Sequence, residues 1–331
     1  MIISRTPFRI SFFGGGTDYP AWFQENGGAV LATTIDKYCY ISVRVLPPFF
    51  AHRYRLVYSV VENVLEIDEI QHPAVKAVLK WRGVDRGLEI HHDGDLPARS
   101  GLGSSSSFTV GLINALKALE GQLVSKDELA RDAIHIEQCV IREPVGSQDQ
   151  ISAAFGGFNR VEFLHNGTFD VQPIILPVER QRELEGHLML FFSGISRYSA
   201  DVARTKIDNL KSRVTELTTM RQMVDGALAI LRSQCAPLTD FGSLLHEAWK
   251  LKRSLSDRVS TSHLDGIYDA ARAAGAIGGK VLGAGGGGFL VFFVPPEKQD
   301  CVRTALKDLI HVPFKFESAG SRIVLYQPNG L

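Results

Sequence analysis

The chain reads as an α+β protein of two domains, on three observations. Strand patterns dominate its first part, helical spacing takes over in the middle, and the end alternates strand, helix and strand. A length of 331 residues also exceeds what one hydrophobic core usually organises. The predicted division falls near residue 184, giving units 1–183 and 184–331.

Taken in order, β-branched and aromatic residues mark strands at 2–13, 29–45, 54–60, 64–67 and 88–92. Apolar residues recur at three- and four-residue spacing over 108–119 and 126–141, so both read as helices. Ser125 caps the second, and Glu128 three residues on predicts a capping box. A hairpin over 157–171 and a strand at 188–192 follow, then helical spacing over 199–232, 240–255 and 262–274. Strands at 279–282 and 289–293, a helix over 298–309 and a strand at 322–326 close the chain.

Composition removes several function classes. Lys+Arg and Asp+Glu each total 36, so no global field draws nucleic acid or an acidic membrane surface, and an anionic substrate needs a local cluster. Cys39, Cys139, Cys235 and Cys301 form no Cys-x-x-Cys pair, which points to reduced packing thiols in a cytoplasmic setting rather than a zinc site or disulfide frame. Arg5, Pro7 and Arg9 break the first apolar run too early for a secretory leader, and the uncharged stretch 281–296 is too short to span a membrane.

The residues 95–107, Asp-Leu-Pro-Ala-Arg-Ser-Gly-Leu-Gly-Ser-Ser-Ser-Ser, run a glycine-serine turn into a helix. A helix start offers unpaired N–H groups and the positive end of a macrodipole, and glycine lets the main chain approach an anion. The segment therefore reads either as a phosphate loop or as a surface turn with a serine cap. The absence of a loop lysine and the glycine spacing argue against Walker A and dinucleotide loops.

Three further segments bear on chemistry. Gly14, Gly15 and Gly16 end a strand and leave space beside the hydroxyl of Thr17 and the carboxylate of Asp18, a combination that either grips sugar hydroxyls or builds a tight turn. Glu137 and Asp149 flank a helix end and the next start. Magnesium takes one or two carboxylates plus phosphate oxygens, so Glu137 with a loop serine suits it and leaves Asp149 to face a substrate hydroxyl; the alternatives are a solvated acid and an N-cap. Finally, 278–289 joins two strands by a loop with almost no side chains.

In this order the segments resemble the GHMP kinase superfamily of galactokinase, homoserine kinase, mevalonate kinase and phosphomevalonate kinase. Residues 97–107 are similar to its phosphate loop, 281–289 to its C-terminal glycine motif, and Gly-x-x-Asp-Gln at 146–150 to the catalytic segment of galactokinases. The resemblance implies a fold of two parts, an N-terminal domain like ribosomal protein S5 domain 2 and a C-terminal ferredoxin-like α/β domain. It implies ATP held by Pro97, Arg99, Gly101, Leu102, Gly103, Ser104, Ser105, Ser106 and Ser107, with Mg2+ on Ser105 and Glu137. Asp149 and Arg9 become the catalytic pair, since Pro7-Phe8-Arg9 aligns with the Pro-Gly-Arg of galactokinases.

Gly14-Gly15-Gly16 stands where galactokinases carry Gly-Glu-His, so galactose fits poorly. Phe12 to Asp18, Arg99 to Gly103 with the four serines, and Gly194 to Arg197 resemble the D-glycero-D-manno-heptose 7-phosphate kinases, which phosphorylate the anomeric oxygen. That resemblance implies a sugar phosphate held by Gly14, Gly15, Gly16, Thr17, Asp18, Arg197, Gly285 and Gly286, with Lys37, Arg53 and Arg55 competing for the phosphate, and direct in-line transfer to it. A neutral-sugar kinase, such as one for fucose, or an ATP and sugar sensor remain the alternatives. The expected partners are small molecules, with neither nucleic acid nor membrane among them.

Overall fold

The structure, a computed structural model, describes residues 1–195, 205, 207, 209–233 and 235–328. Strand β1 (Ile2–Phe13) leads through the short helix α1 (Pro20–Asn26) into β2 (Gly28–Val45), which pairs antiparallel with β1 along most of its length. The hairpin β3 (Tyr54–Val57) and β4 (Val61–Val64), helix α2 (Pro73–Arg82) and strand β5 (Leu88–Gly94) follow. Then come α3 (Ser104–Leu119), α4 (Lys126–Ile134), a π turn at His135–Val140, α5 (Gln148–Phe155) and the hairpin β6 (Phe158–Phe163) and β7 (Phe169–Pro173).

The later elements are α6 (Val178–His187), β8 (Leu188–Phe192), α7 (Val214–Arg232), α8 (Thr239–Ser254), α9 (Ser262–Ala273), β9 (Gly278–Val281), β10 (Phe289–Phe293), α10 (Gln299–Ala305) and β11 (Ile310–Val312). Strands β12 (Phe316–Glu317) and β13 (Arg322–Tyr326) end the chain.

Two sheets result. The first runs β13-β1-β2-β5-β3-β4, with β12 and β6 also on β2 and β7 on β6. β2 reaches this many partners because its first half pairs with β6 and its second with β5. The second sheet runs β11-β8-β10-β9, all antiparallel. The division at 184 separates these sheets only until β12 and β13, which return to the first and pair with β2 and β1. The expected unit 184–331 therefore closes before its last strands.

Helix α3 is the spine of the first unit. Every residue from 106 to 118 is buried, and the polar ones, Ser106, Ser107, Thr109, Asn114 and Lys117, each hold a partner within the fold. Lys117 within it reaches Asp132 at 2.7 Å and also binds Glu128. That contact explains a departure from expectation: Ser125 Oγ accepts from Glu128 N–H (3.1 Å), but the Glu128 carboxylate turns to Lys117, so only half of the capping box forms. Of the cysteines, Cys39 is buried as expected, whereas Cys139, Cys235 and Cys301 are exposed.

One apolar cluster runs across the two units, and a second lies within the second unit. Phe241 of α8 meets Phe12 and Phe13 of β1 edge-on, with ring centroids 5.5 and 5.1 Å apart, and also contacts Phe293 of β10. This joint lies just before the glycine turn at 14–16 and holds it close to the second unit.

Candidate active site

The turn from β5 into α3 forms the floor of the site. Ser100 Oγ donates to Pro97 O (2.6 Å), and Arg99, in the left-handed region at φ 59°, donates its N–H to Ser104 Oγ (3.1 Å). Gly103, at φ 76°, precedes the first turn of α3. Leu102 is fully buried, and its carbonyl accepts from Arg9 N–H (3.0 Å), which ties the loop to β1.

The four serines divide their tasks by helical phase. Ser107 Oγ donates to Pro7 O (3.0 Å) and Ser106 Oγ donates to Glu137 Oε2 (2.8 Å), while Ser105 is exposed. The hydroxyl that meets Glu137 directly is thus that of Ser106, one residue and about 100° along α3 from Ser105. Gln150 Nε2 also donates to Glu137 Oε2.

Glu137 is 1% exposed on the π turn. Among the described residues its Oε1 has no hydrogen-bond partner, the neighbouring Thr109 hydroxyl donating to Ser105 O (3.2 Å). Burial pushes the Glu137 carboxyl up to about 7, against the Ser106 hydroxyl and the Gln150 amide that donate to it. A buried carboxylate oxygen without a donor, beside a hydroxyl and a helix start, fits a hard divalent cation that travels with phosphate. No group of three or more His, Cys, Asp or Glu residues suited to a metal occurs among the described residues, so such an ion would draw its remaining ligands from phosphate and water.

Arg9 and Asp149 meet over this floor. Arg9 is 3% exposed and grips the carboxylate at two points, Nε to Oδ1 and Nη2 to Oδ2, both 2.8 Å. Its Nη1 donates to Gly101 O (2.5 Å). A Cβ on Gly103 would lie 3.3 Å from Arg9 Cγ and 3.5 Å from Asp149 Oδ2, so the pair sits directly against the loop. The sequence expectation that these residues converge is matched by this geometry.

The turn at 14–18 is built differently from the expectation. Thr17 is fully buried, its Oγ1 lying 2.8 Å from Gly14 O and 3.0 Å from Ala29 O and accepting from Ala29 N–H (3.1 Å). A Cβ on Gly14 would lie 1.9 Å from Ala29 O. Both residues therefore serve β2 from within the fold. Asp18 accepts from Gly16 N–H (2.8 Å) and Gln148 Nε2 (2.9 Å). Burial raises its pKa, the nearby Asp149 charge adds to the rise, and the Gly16 N–H opposes it. Asp18 thus anchors the start of α5, one residue before Asp149.

Gly285 and Gly286, expected at the acceptor, pack on the segment before α9: Gly286 N–H donates to Val259 O (2.9 Å) and a Cβ on Gly285 would lie 2.5 Å from the same oxygen. Of the cations considered for a substrate phosphate, Arg197 lies outside the described residues. Lys37 pairs with Asp36 (3.1 Å), Arg55 with Glu89 (3.2 Å), and Arg53 donates to Asp85 O. Gln148 and Gln150 were missed as site residues, although they flank Asp149 in sequence.

Comparison with known proteins identifies the family of the chain. Residues 59–157 match the GHMP kinases N terminal domain, and residues 234–311 match GHMP kinases C terminal. The chain is 30% identical over 318 residues to D-glycero-alpha-D-manno-heptose 7-phosphate kinase of Campylobacter jejuni subsp. jejuni serotype O:2, covering 92% of this chain and 93% of that protein. It is 26% identical over 330 residues to the bifunctional fucokinase/GDP-fucose pyrophosphorylase of Arabidopsis thaliana, covering 91% of this chain and 31% of that protein. A solved structure described as a D-glycero-D-manno-heptose 1-phosphate kinase from Bacteriodes thetaiotaomicron superposes with a TM-score of 0.80 at 26% identity, covering 99% of this chain and 100% of the other. The chain belongs to the GHMP kinases and is a phosphotransferase of two GHMP domains.

Proposed function

We propose that the protein transfers the γ-phosphoryl group of ATP to the anomeric C1 hydroxyl of D-glycero-D-manno-heptose 7-phosphate, in the cytoplasm, as a step toward nucleotide-activated heptose. The observation that carries the reading is the two-point Arg9–Asp149 pair lying against Gly103 of the loop. The relative from Campylobacter jejuni supports the acceptor. The fucokinase relative supports a second reading, a neutral sugar phosphorylated at the anomeric position.

In this mechanism the loop 97–107 and the start of α3 hold the nucleotide phosphates through main-chain N–H groups and serine hydroxyls. Asp149 orients the acceptor hydroxyl and takes its proton as the new oxygen–phosphorus bond forms and the bond to ADP breaks. Arg9 fixes the Asp149 carboxylate and offers positive charge to the transferring group. Glu137 with Ser106, and Ser105 nearby in the first turn, would hold Mg2+, which supplies charge neutralisation to the phosphates.

The test is ADP release with Mg-ATP and D-glycero-D-manno-heptose 7-phosphate, fucose, galactose or mannose, with the new phosphate located by phosphorus NMR. Turnover on the heptose phosphate alone, with phosphate at C1, is the expected result, and turnover on a neutral sugar replaces the acceptor. Asp149→Asn is expected to lower kcat by about 10²- to 10⁴-fold while still binding Mg-ATP. Near-normal turnover by that variant refutes the role of Asp149.

A further inference from the structure

Two buried lysines of the second unit reach toward the site. Lys252 on α8 is 5% exposed, and its ammonium donates to Val281 O (2.6 Å) and Gly283 O (2.7 Å). Lys280 on β9 is 3% exposed and donates to Phe12 O (2.8 Å), near the end of β1. A buried ammonium needs oxygens to replace its water, and here main-chain carbonyls at two separate supports of the site do so.

Each carbonyl leads to a different half of the site. From Gly283 the contact passes to the phosphate loop without an intervening side chain: a Cβ on Gly283 would lie 2.6 Å from Gly101 Cα. Phe289 N–H donates to Ser100 O (2.9 Å), and Gly101 O accepts from Arg9 Nη1. Main chain packed on main chain has no rotamer to absorb a shift, so a displacement at 283 becomes one at 101. From Phe12 the chain runs into the 14–18 turn, whose Asp18 accepts from Gln148 at the start of α5.

We propose that Lys252 and Lys280 are positioning residues with divided tasks. Lys252 fixes the phosphate loop through the 283–101 contact and governs nucleotide affinity, whereas Lys280 fixes the end of β1 and governs use of the acceptor. The division rests on the reading above, in which the loop takes ATP and Asp149 meets the acceptor, the 14–18 turn reaching Asp149 through the Asp18–Gln148 contact.

Lys252→Met and Lys280→Met, which remove the charge at nearly constant length, are compared with the native protein by calorimetric titration of Mg-ATP, by KM for both substrates and by thermal midpoint. Lys252→Met is expected to weaken Mg-ATP binding about tenfold and to leave the acceptor KM within about twofold; Lys280→Met is expected to do the reverse. Lys252→Arg, which keeps donors for two carbonyls, is expected to regain part of the lost nucleotide affinity. Equal changes in both constants, no change in either, or changes that only track the thermal midpoint overturn the proposal. If a Met variant does not fold, the corresponding Arg variant is judged by the same split. Titration of Mg-ATP needs no acceptor, so a wrong acceptor appears as absent turnover by the native protein on the heptose phosphate, while the Lys252 half stands or falls on binding alone.

Discussion

The loop before α3 and the loop between β9 and β10 are both rich in glycine, yet their missing side chains make room for different things. In the first, Gly103 turns the chain at φ 76° into a helix start, and Arg99 and Ser105 on either side are exposed. In the second, the space is already filled: a Cβ would lie 2.1 Å from Ser100 O at Gly288 and 2.8 Å from Ile195 O at Gly287. Gly101 of the first loop belongs to the same interface, an added Cβ lying 2.6 Å from Leu282 O, so the contrast is between Gly103, which faces the Arg9–Asp149 pair, and the glycines of the second loop, which face main chain. The second loop backs the first, so the site depends on both.

Filling the interface should have the largest effect. Gly288→Ala places a methyl on Ser100 O while forcing a side chain into φ 88°. Overpacking and backbone strain together predict a loss of about 4 kcal/mol, read from the urea midpoint of the purified variant. Unchanged stability would mean that the two loops do not interlock.

Beneath the open loop, Glu137 predicts a pH dependence. Its carboxyl has an ordinary value of 4.5 and titrates at about 7 in the fold. Between those values the folded state keeps a proton that the unfolded chain has released, so this group's contribution to stability falls as pH rises from 4.5 to about 7 and then levels off. Glu137→Gln has no proton to lose there. Relative to the native protein it should gain on the order of 3 kcal/mol between about pH 5 and about pH 8, measured as the difference in urea midpoints. A parallel pair of curves would show that the Glu137 carboxyl is already solvated.

A smaller effect is expected at Gly103. Alanine there keeps the loop near its path at a strain of about 1 kcal/mol, but its methyl presses on Arg9 Cγ and the Asp149 carboxylate. A misplaced catalytic group costs about 10²-fold in kcat, with the fold retained. Equal losses of stability at Gly103 and Gly288 would erase the distinction between the loops.

Much of this was legible in the sequence because it is local. The loop 97–107 carries its own helix start, and most strands carried their own pattern. Helix α1 was missed although Pro20 stands at its first turn, and α5 was read only for Asp149. What stayed hidden depends on contacts between distant segments. Nothing near residue 316 or 322 tells that β12 and β13 rejoin the first sheet. The choice of Ser106 over Ser105 for Glu137 depends on the phase of α3 against the π turn, and Thr17 looks like a free hydroxyl until Ala29 is seen to occupy it. A composition of glycines, likewise, does not say whether the space they leave is open or filled.

Gly15 provides the smallest and most selective test of that last distinction. Unlike Gly14 and Gly16, it has no positive φ, and the nearest atoms to an added Cβ are Gln148 Nε2 at 3.6 Å and Ser11 Oγ at 3.7 Å, ordinary contact distances. Gly15→Ala should therefore shift stability by less than about 0.5 kcal/mol. If the space above Gly15 receives the acceptor, one methyl there should still raise the acceptor KM by about tenfold, the discrimination a single carbon group provides, and leave the KM for ATP unchanged. The contrast with Gly14, where a methyl would meet Ala29 O at 1.9 Å, makes the pair decisive. Gly14→Ala should unfold the turn and lose both substrates together, whereas an alanine at 15 that leaves the acceptor KM untouched would move the acceptor elsewhere in the site.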